Sequence, residues 1–351
     1  MRLLVPPRRI LVRAPSWLGD FVACEPVLRA LERRYASAGC ADRITIAAPA
    51  PFLELLGPRY ERSRRLACPR SVDPDPRPWR GHDVALLFDG SFRSAWTAVR
   101  AGIPERIGWS GGARSAVLTC PARPASERGG TPLGLGIHGR GRRRLPRPFA
   151  TACIELASLA GLDVADRVPR IEPDPAALER ARARFARRGV DPDAPFLALN
   201  AGGRAGSSKA ADPNVLARLA REYRMPIVLV CGPGEEPNAR AALAALRDAR
   251  ATLLDDPPPD LAELVAILSL SAGCVTADSG PRHLARALGK PITVVFGPTD
   301  PRHTAEHVGD ERHVRTQIDC GPCHRERCPL DGDRQRACMR HAIDARFPAP
   351  N

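Results

Sequence analysis

Residues 275–300 read V-T-A-D-S-G-P-R-H-L-A-R-A-L-G-K-P-I-T-V-V-F-G-P-T-D, an order of residue types that prescribes strand, sharp turn, short helix, strand and turn. The turn sets a carboxylate (Asp278), a hydroxyl (Ser279) and a flexible glycine (Gly280) at the mouth of the helix. Pro281 suits the first helical position, where its missing N–H would have no partner. The free backbone N–H groups of such a helix start can bind a phosphate, and His283 lies in the same first turn. The stretch reads as one half of a nucleotide-sugar site, so the rest of the chain has to supply the other half.

The same alternation precedes it. Helices are expected at 175–188, 214–223, 239–247 and 261–270, with strands between them at 196–200, 227–231 and 252–254. A similar series opens the chain: a strand at 9–13, the turn P-S-W-L-G-D, and a helix at 21–35 whose Val22, Val27, Leu28 and Leu31 recur at roughly helical spacing. Strands follow at 44–48, 84–88 and 103–109, then a helix at 150–162; residues 68–80, rich in Pro and Arg, read as loop. Two consecutive series define an α/β chain with parallel sheets, arranged as two Rossmann-like domains facing one another across a cleft. The Pro- and charge-rich segment 164–175 marks the connection, which gives domains at 1–168 and 169–330 and a helical tail at 331–351.

Composition narrows the class. A length of 351 residues with 44% apolar content allows two domains with sizeable cores. No run of about 18 apolar residues is present to span a membrane, and no signal-peptide core precedes the first strand, so a cytoplasmic protein without a transmembrane segment is expected. The net charge is +14, and only Lys209 and Lys290 among the 53 basic residues are lysines. The arginine excess fits either a high-GC genome or attraction to a polyanion. Aromatics make up 5% of the chain, with no interleaved stacking pattern and no nucleic-acid module, which argues against nucleic acid as the partner. Residues 121–150 hold seven arginines against the single acid Glu127 and read as a solvated loop or as a basic surface for an anionic acceptor.

Three turns in the second series share one design, a strand end followed by glycine. They are Asn200-Ala201-Gly202-Gly203 with Ser207, Ser208 and Lys209 close behind, Gly232-Pro233-Gly234-Glu235-Glu236, and Asp278-Ser279-Gly280. Together they offer backbone N–H groups and an ammonium for a pyrophosphate, and carboxylates for ribose hydroxyls. Lys209 stands out in a chain that uses arginine almost everywhere else, and a compact ammonium suits a phosphate.

Read together, P-S-W-L-G-D-F-V-A-C-E-P-V-L-R-A-L, L-N-A-G-G…S-S-K and D-S-G-P-R-H-L-A-R-A-L-G-K-P…F-G-P-T-D-P resemble glycosyltransferase family 9, the ADP-heptose:lipopolysaccharide heptosyltransferases, with the first motif most similar to the heptosyltransferase II branch. The resemblance implies a GT-B fold, with an N-terminal acceptor domain and a C-terminal donor domain. It also implies inverting transfer from ADP-L-glycero-D-manno-heptose to the anionic inner core of lipopolysaccharide at the inner membrane face. By the same resemblance Asp20 is the general base and Lys209 binds the donor phosphates. Asp278, Ser279, Gly280 and His283 hold the diphosphate and sugar, and Glu235 or Glu236 holds the ribose. No cofactor is required. Two departures stand in the middle motif: Ala201 occupies a place where the family carries proline, and Ala210-Ala211-Asp212 follows the lysine in place of a basic–aromatic–proline run.

Asp20 also admits a plain reading as a helix N-cap, and His283 as a packing histidine. Cys320, Cys323, Cys328 and Cys338, with His324 close by, have the spacing of a structural zinc or iron–sulfur site, and equally of reduced thiols. Two other functions compete with heptosyl transfer: the same fold using a different nucleotide sugar, and a non-catalytic nucleotide- or polyanion-binding relative.

Overall fold

β1 (Ile10–Arg13) is buried along its whole length, as a parallel strand must be when helices cover both faces of its sheet. The chain then runs through α1 (Leu18–Ser37), β2 (Ile44–Ala48), α2 (Ala50–Leu53), β3 (Arg64–Ala67), β4 (Val84–Leu87), α3 (Phe92–Arg100), β5 (Glu105–Trp109), α4 (Arg114–Val117) and β6 (Cys120–Ala122). These strands form one parallel sheet in the order β3-β2-β1-β4-β5-β6. The small ribbon of β7 (Ser126–Arg128) and β8 (Arg142–Arg144) follows, and then α5 (Phe149–Leu159), which packs on α1. The computed structural model describes residues 5–70, 74–123, 126–128, 142–144, 146–203, 206–304 and 311–344. Most of the arginine-rich stretch 121–150 therefore lies outside the described residues.

The second series comprises α6 (Pro175–Arg187), β9 (Leu197–Asn200), α7 (Pro213–Arg221), β10 (Ile227–Val230), α8 (Glu236–Leu246), β11 (Ala251–Leu254), α9 (Leu261–Leu270), β12 (Gly273–Ala277), α10 (Gly280–Ala287), β13 (Ile292–Phe296) and β14 (Glu311–Arg315). It ends in α11 (Ala337–Arg340) and β15 (Ile343–Asp344). Its sheet order is β11-β10-β9-β12-β13-β14-β15, parallel except for the last pair. The described chain divides into two compact units, Met1–Ala125 with Arg147–Glu172, and Ser126–Pro146 with Pro173–Asn351.

Six strands escape the sequence reading, two of them the ribbon β7–β8 inside the stretch 121–150. β3 is R-R-L-A, exposed or half-buried throughout, and β14 is E-R-H-V-R with Val314 as its one fully buried residue. β3 is the outer strand of its sheet and β14 has only the two-residue β15 beyond it, so neither needs the continuous apolar run that marks β1 or β13. The short β6 and β15 are missed for the same reason. In place of a continuous helical tail, the described part of 331–351 is a 3₁₀ turn, the four-residue α11 and β15; residues 345–351 lie outside the described residues. Arg336 has a left-handed φ of 51°, which separates the 3₁₀ turn from α11. Met339 and Ala342 enter the core of the second unit, which ties this segment to its sheet.

Candidate functional site

The winding of the second sheet reverses between β9 and β12. In open α/β sheets a ligand binds outside the carboxyl ends of the strands at such a switch. Thr276 pairs with Asn200 in the ladder, so the turn after β9 and the turn Asp278-Ser279-Gly280 leave the sheet side by side. Asn200 is buried: its Nδ2 donates to the Val230 carbonyl at 3.1 Å, and its Oδ1 faces the hydroxyls of Thr276 and Ser279 at 3.4 and 3.5 Å. Gly202 has φ +65°, and a Cβ there would lie 2.8 Å from the Ala277 methyl, so only glycine lets the two turns approach.

Lys209 reaches the mouth of α10. Its Nζ donates to the Asp278 carbonyl at 3.3 Å and stands 3.9 Å from the Asp278 carboxylate, with the side chain 44% exposed. Ser208, beside Lys209, is held by the chain near Glu326. It is buried, its N–H donates to the Glu326 carbonyl at 2.9 Å, and its hydroxyl donates to the Arg325 carbonyl. The run after Lys209 is structural: Ala210 and Ala211 are buried, and Asp212 caps α7 by accepting from Asn214 N at 2.9 Å. Lys290, the other lysine, donates to the Ser271 carbonyl at 2.9 Å, away from these turns.

Asp278 is held in a chain of buried charges. Its Oδ1 accepts from Arg282 Nη1 at 2.7 Å, and Arg282 Nη2 donates to Glu311 Oε2 at 2.7 Å. Arg286 and His313 meet the same glutamate at 2.5 and 3.0 Å. Burial alone would raise the Asp278 pKa, but the guanidinium of Arg282 and then the ammonium of Lys209 outweigh it and hold the carboxyl well below the usual range. For Glu311 burial again opposes ionisation, and His313, Arg282 and Arg286 overcome it, bringing the pKa down to about 2. His283 goes the other way: burial first, then Arg282, lowers its pKa to about 3, so the imidazole is neutral at pH 7.

The third turn is tied to the first. Asn238 Nδ2 donates to the Gly203 carbonyl at 2.8 Å, and Gly232 N–H donates to Glu235 Oε2 at 2.9 Å, folding that carboxylate back onto its own turn. Glu236 opens α8, half-buried. Asn200, Gly202, Lys209, Asp278, Ser279, Gly280 and His283 thus gather at the β9–β12 switch, and Asn238 connects Gly232, Glu235 and Glu236 to them. Sequence reasoning misses Asn238 and Arg282, because their partners lie 35 and 29 residues away.

The first sheet has its own switch, between β1 and β4. Trp17 is the N-cap residue of α1, so Asp20 lies inside the first helical turn, half-buried, and is not the cap. A carboxylate there is favoured by the helix dipole. Arg13, at the end of β1, donates to the carbonyls of Ala14 and Ala47 and to Ser16 Oγ at 2.9 Å, which pins the turn leading to Asp20. Asp89, after β4, sits between Arg13 Nε at 3.4 Å and Arg114 Nη1 at 3.7 Å and accepts from the Ser94 hydroxyl. This cluster was also missed; its sequence signal is F-D-G-S after a strand, with Ser91 capping α3.

Cys320, Cys323, Cys328 and Cys338 line one cavity of about 140 Å³ together with Ser208 and Pro298. Burial, then the neighbouring thiols, pushes Cys338 up to about 11. Among the described residues no three His, Cys, Asp or Glu side chains are placed to hold one metal ion, and the four thiols are unbridged. Among the described residues, too, no helix is long and apolar enough to cross a membrane.

Comparison with known proteins bears on the whole arrangement. Residues 153–333, over half of the chain, match the model of glycosyltransferase family 9 (heptosyltransferase). The chain is 25% identical over 323 residues to lipopolysaccharide heptosyltransferase 2 of Escherichia coli K12, covering 88% of each. It superposes on a family 9 glycosyl transferase from Veillonella parvula with a TM-score of 0.70 at 17% identity, covering 89% of this chain and 86% of that one. The E. coli ADP-heptose LPS heptosyltransferase II structure gives a TM-score of 0.66 at 22% identity, with coverages of 89% and 92%. The fold is therefore α/β of the GT-B class, built from two Rossmann-like units. The chain belongs to glycosyltransferase family 9, the heptosyltransferase family.

Proposed function

We propose that the protein transfers a heptose from ADP-L-glycero-D-manno-heptose to the inner core of lipopolysaccharide, inverting the anomeric centre in a single displacement. The observation that carries this reading is the Lys209 ammonium at the mouth of α10, beside Asp278 and at the switch point of the second sheet. Support also comes from the curated E. coli relative, a lipopolysaccharide heptosyltransferase 2 alignable over 88% of both chains.

On this reading the ADP diphosphate rests on the first N–H groups of α10 and on Lys209, which stabilise the charge that develops as ADP leaves. Asp278, kept ionised by Arg282, fixes the lysine. Neutral His283 offers a hydrogen bond to the donor and no charge. Glu236, with Glu235 behind it, takes the ribose hydroxyls. Asp20 removes the proton from the acceptor hydroxyl as that oxygen attacks the anomeric carbon. Lys209 and the helix mouth supply the electrostatic stabilisation, so the proposal assigns no catalytic metal. A zinc or iron–sulfur centre at Cys320, Cys323, Cys328 and Cys338 would require the thiols to draw together and would be structural; metal analysis before and after chelation reads this directly. On this reading the enzyme works as a peripheral protein at the cytoplasmic face of the inner membrane, and its net charge of +14 supports an anionic acceptor.

Asp20→Asn tests the assignment. We expect kcat to fall roughly 10³-fold while ADP-heptose binding by calorimetry is retained; equal loss of binding and turnover would remove Asp20 from the role of base. A different nucleotide sugar is the second reading, favoured by Ala210-Ala211-Asp212, where buried alanines and a helix cap stand in place of the family's aromatic. Calorimetry with ADP-heptose against ADP-glucose separates the two. Under the non-catalytic alternative, wild-type protein would bind nucleotide or polyanion and transfer nothing.

A further inference from the structure

The proposed reaction leaves the C-terminal cysteines without a task, yet they gather beside one of its parts. Cys24, Cys68, Cys153, Cys231 and Cys274 are buried, and Cys320 is the only exposed cysteine among the described residues. Buried thiols are inert, whereas reactive ones are accessible and lie in electropositive surroundings. Cys320 shares its cavity of about 140 Å³ with Cys323, Cys328 and Cys338. Arg325, Arg334 and Arg336 line the same cavity, which has room for an oxidant as small as hydrogen peroxide.

The segment that carries these thiols holds the chain on both sides of Lys209. Before the lysine, Ser208 donates its hydroxyl to the Arg325 carbonyl and its N–H to the Glu326 carbonyl at 2.9 Å. After it, the Ala210 carbonyl accepts from Arg336 Nη1 at 3.5 Å. Arg325, Glu326 and Arg336 all lie between Cys320 and Cys338 in the chain, so a bond between those two thiols would close a loop that contains every one of these contacts. Gly297 brings the two ends of that loop together. A Cβ on Gly297 would lie 3.0 Å from Cys338 Sγ, and a Cβ on Gly321, next to Cys320, would lie 3.8 Å from the Gly297 carbonyl. Cys328 is engaged within the loop, where its sulfur accepts the Arg336 N–H at 3.3 Å. Cys338 is the fixed end, because Met339 beside it belongs to the core of the second unit.

We infer that Cys320 and Cys338 form a peroxide-sensitive disulfide site that withdraws Lys209 from the donor diphosphate. This inference rests on the proposed role of Lys209. The Cys320 sulfur attacks one oxygen of hydrogen peroxide, the O–O bond breaks, and Cys320 becomes a sulfenic acid as one water leaves. The Cys338 sulfur then attacks the Cys320 sulfur, the S–O bond breaks, a second water leaves, and the S–S bond forms. Two thiols give up two electrons and two protons, and one peroxide becomes two waters. A disulfide is about 2.05 Å long, so thiols that stand unbridged around a cavity must draw together to form one. With Cys338 anchored, the chain from Cys320 to Glu326 moves and takes its hold on Ser208 with it.

The test uses the full chain, reduced or treated with hydrogen peroxide, and ADP as the probe. Peptide mass mapping should find Cys320 joined to Cys338 after oxidation, and dithiothreitol should remove the bridge. Calorimetry should show ADP binding about tenfold weaker in the oxidised protein, roughly the loss of one charge-assisted hydrogen bond, with affinity restored by dithiothreitol. Cys320→Ser should bind ADP like the reduced wild type both before and after peroxide. No bridge, a bridge from Cys320 to Cys323, or equal ADP affinity in the bridged and reduced proteins would overturn the inference. So would one zinc or iron per chain that shields the four thiols from peroxide until a chelator removes it. If the bridge forms and the reduced protein binds no ADP, the disulfide site stands and the proposed role of Lys209 falls.

Discussion

Arg282 shows how far a motif reading reaches. Its neighbours Asp278 and His283 are legible from their place at a helix mouth, whereas the role of Arg282 depends on Glu311, on a strand with no apolar pattern. The guanidinium is fully buried and divides itself between Asp278, Glu311 and Thr304. Removing one partner from a buried pair leaves the other uncompensated, so Glu311→Gln should cost about 3–5 kcal/mol near neutral pH. The pH dependence follows from the depressed pKa. Glu311 has a folded value of about 2 against an ordinary 4.5, so its contribution is fully present above about 4.5 and is lost as pH falls through about 2. Urea unfolding of the wild type and Glu311→Gln across this window should show the gap closing from the neutral side; a gap independent of pH would refute the ion-pair account.

At the scale of the element, the glycine turns after β9 and β12 depend on backbone geometry as much as on side chains. Gly202→Ala would combine a left-handed φ with a Cβ 2.8 Å from the Ala277 methyl, at a cost of about 3 kcal/mol in strain and overpacking. Gly206 also has a positive φ, +81°, but a Cβ there meets nothing within 4 Å, so Gly206→Ala should cost only about 1 kcal/mol. Denaturant midpoints of the two variants check the difference; equal losses would mean that the approach of the β9 and β12 turns is not tight. The glycines are visible in the sequence, but their unequal contacts are not. The strands β3 and β14, at the edge of one sheet and next to the edge of the other, were likewise unreadable, because a partly exposed strand requires no repeating apolar pattern.

For the molecule as a whole, the C-terminal segment belongs to the second unit by packing. Met339 is 1% exposed in the core that also holds Leu199, Val275 and Val295, and its sulfur stands where a Gly297 Cβ would lie 2.2 Å away. The run just before it, at Arg325 and Glu326, accepts both the hydroxyl and the N–H of Ser208, next to Lys209. Met339→Ala should cost about 2–5 kcal/mol. Hydrogen exchange should accelerate in β9, β12 and β13 and stay unchanged in β1 and β4. Equal acceleration in both sheets would show that the two units do not unfold separately.

The sequence alone determined the α/β class, the two series of alternating elements, and the glycine turns with Asp20, Lys209 and Asp278 at strand ends. These follow from local periodicity and from the chemistry a turn demands, both written in neighbouring residues. Only the tertiary structure decided that Ser208 holds the Arg325–Glu326 run, that Asn238 ties two turns together, that Arg282 holds Asp278 against Glu311, and that Arg70 lies over the Trp17 ring. Each of these is a contact between residues far apart in sequence. Such contacts are set by which strands neighbour one another and in what register, and no local pattern carries that order.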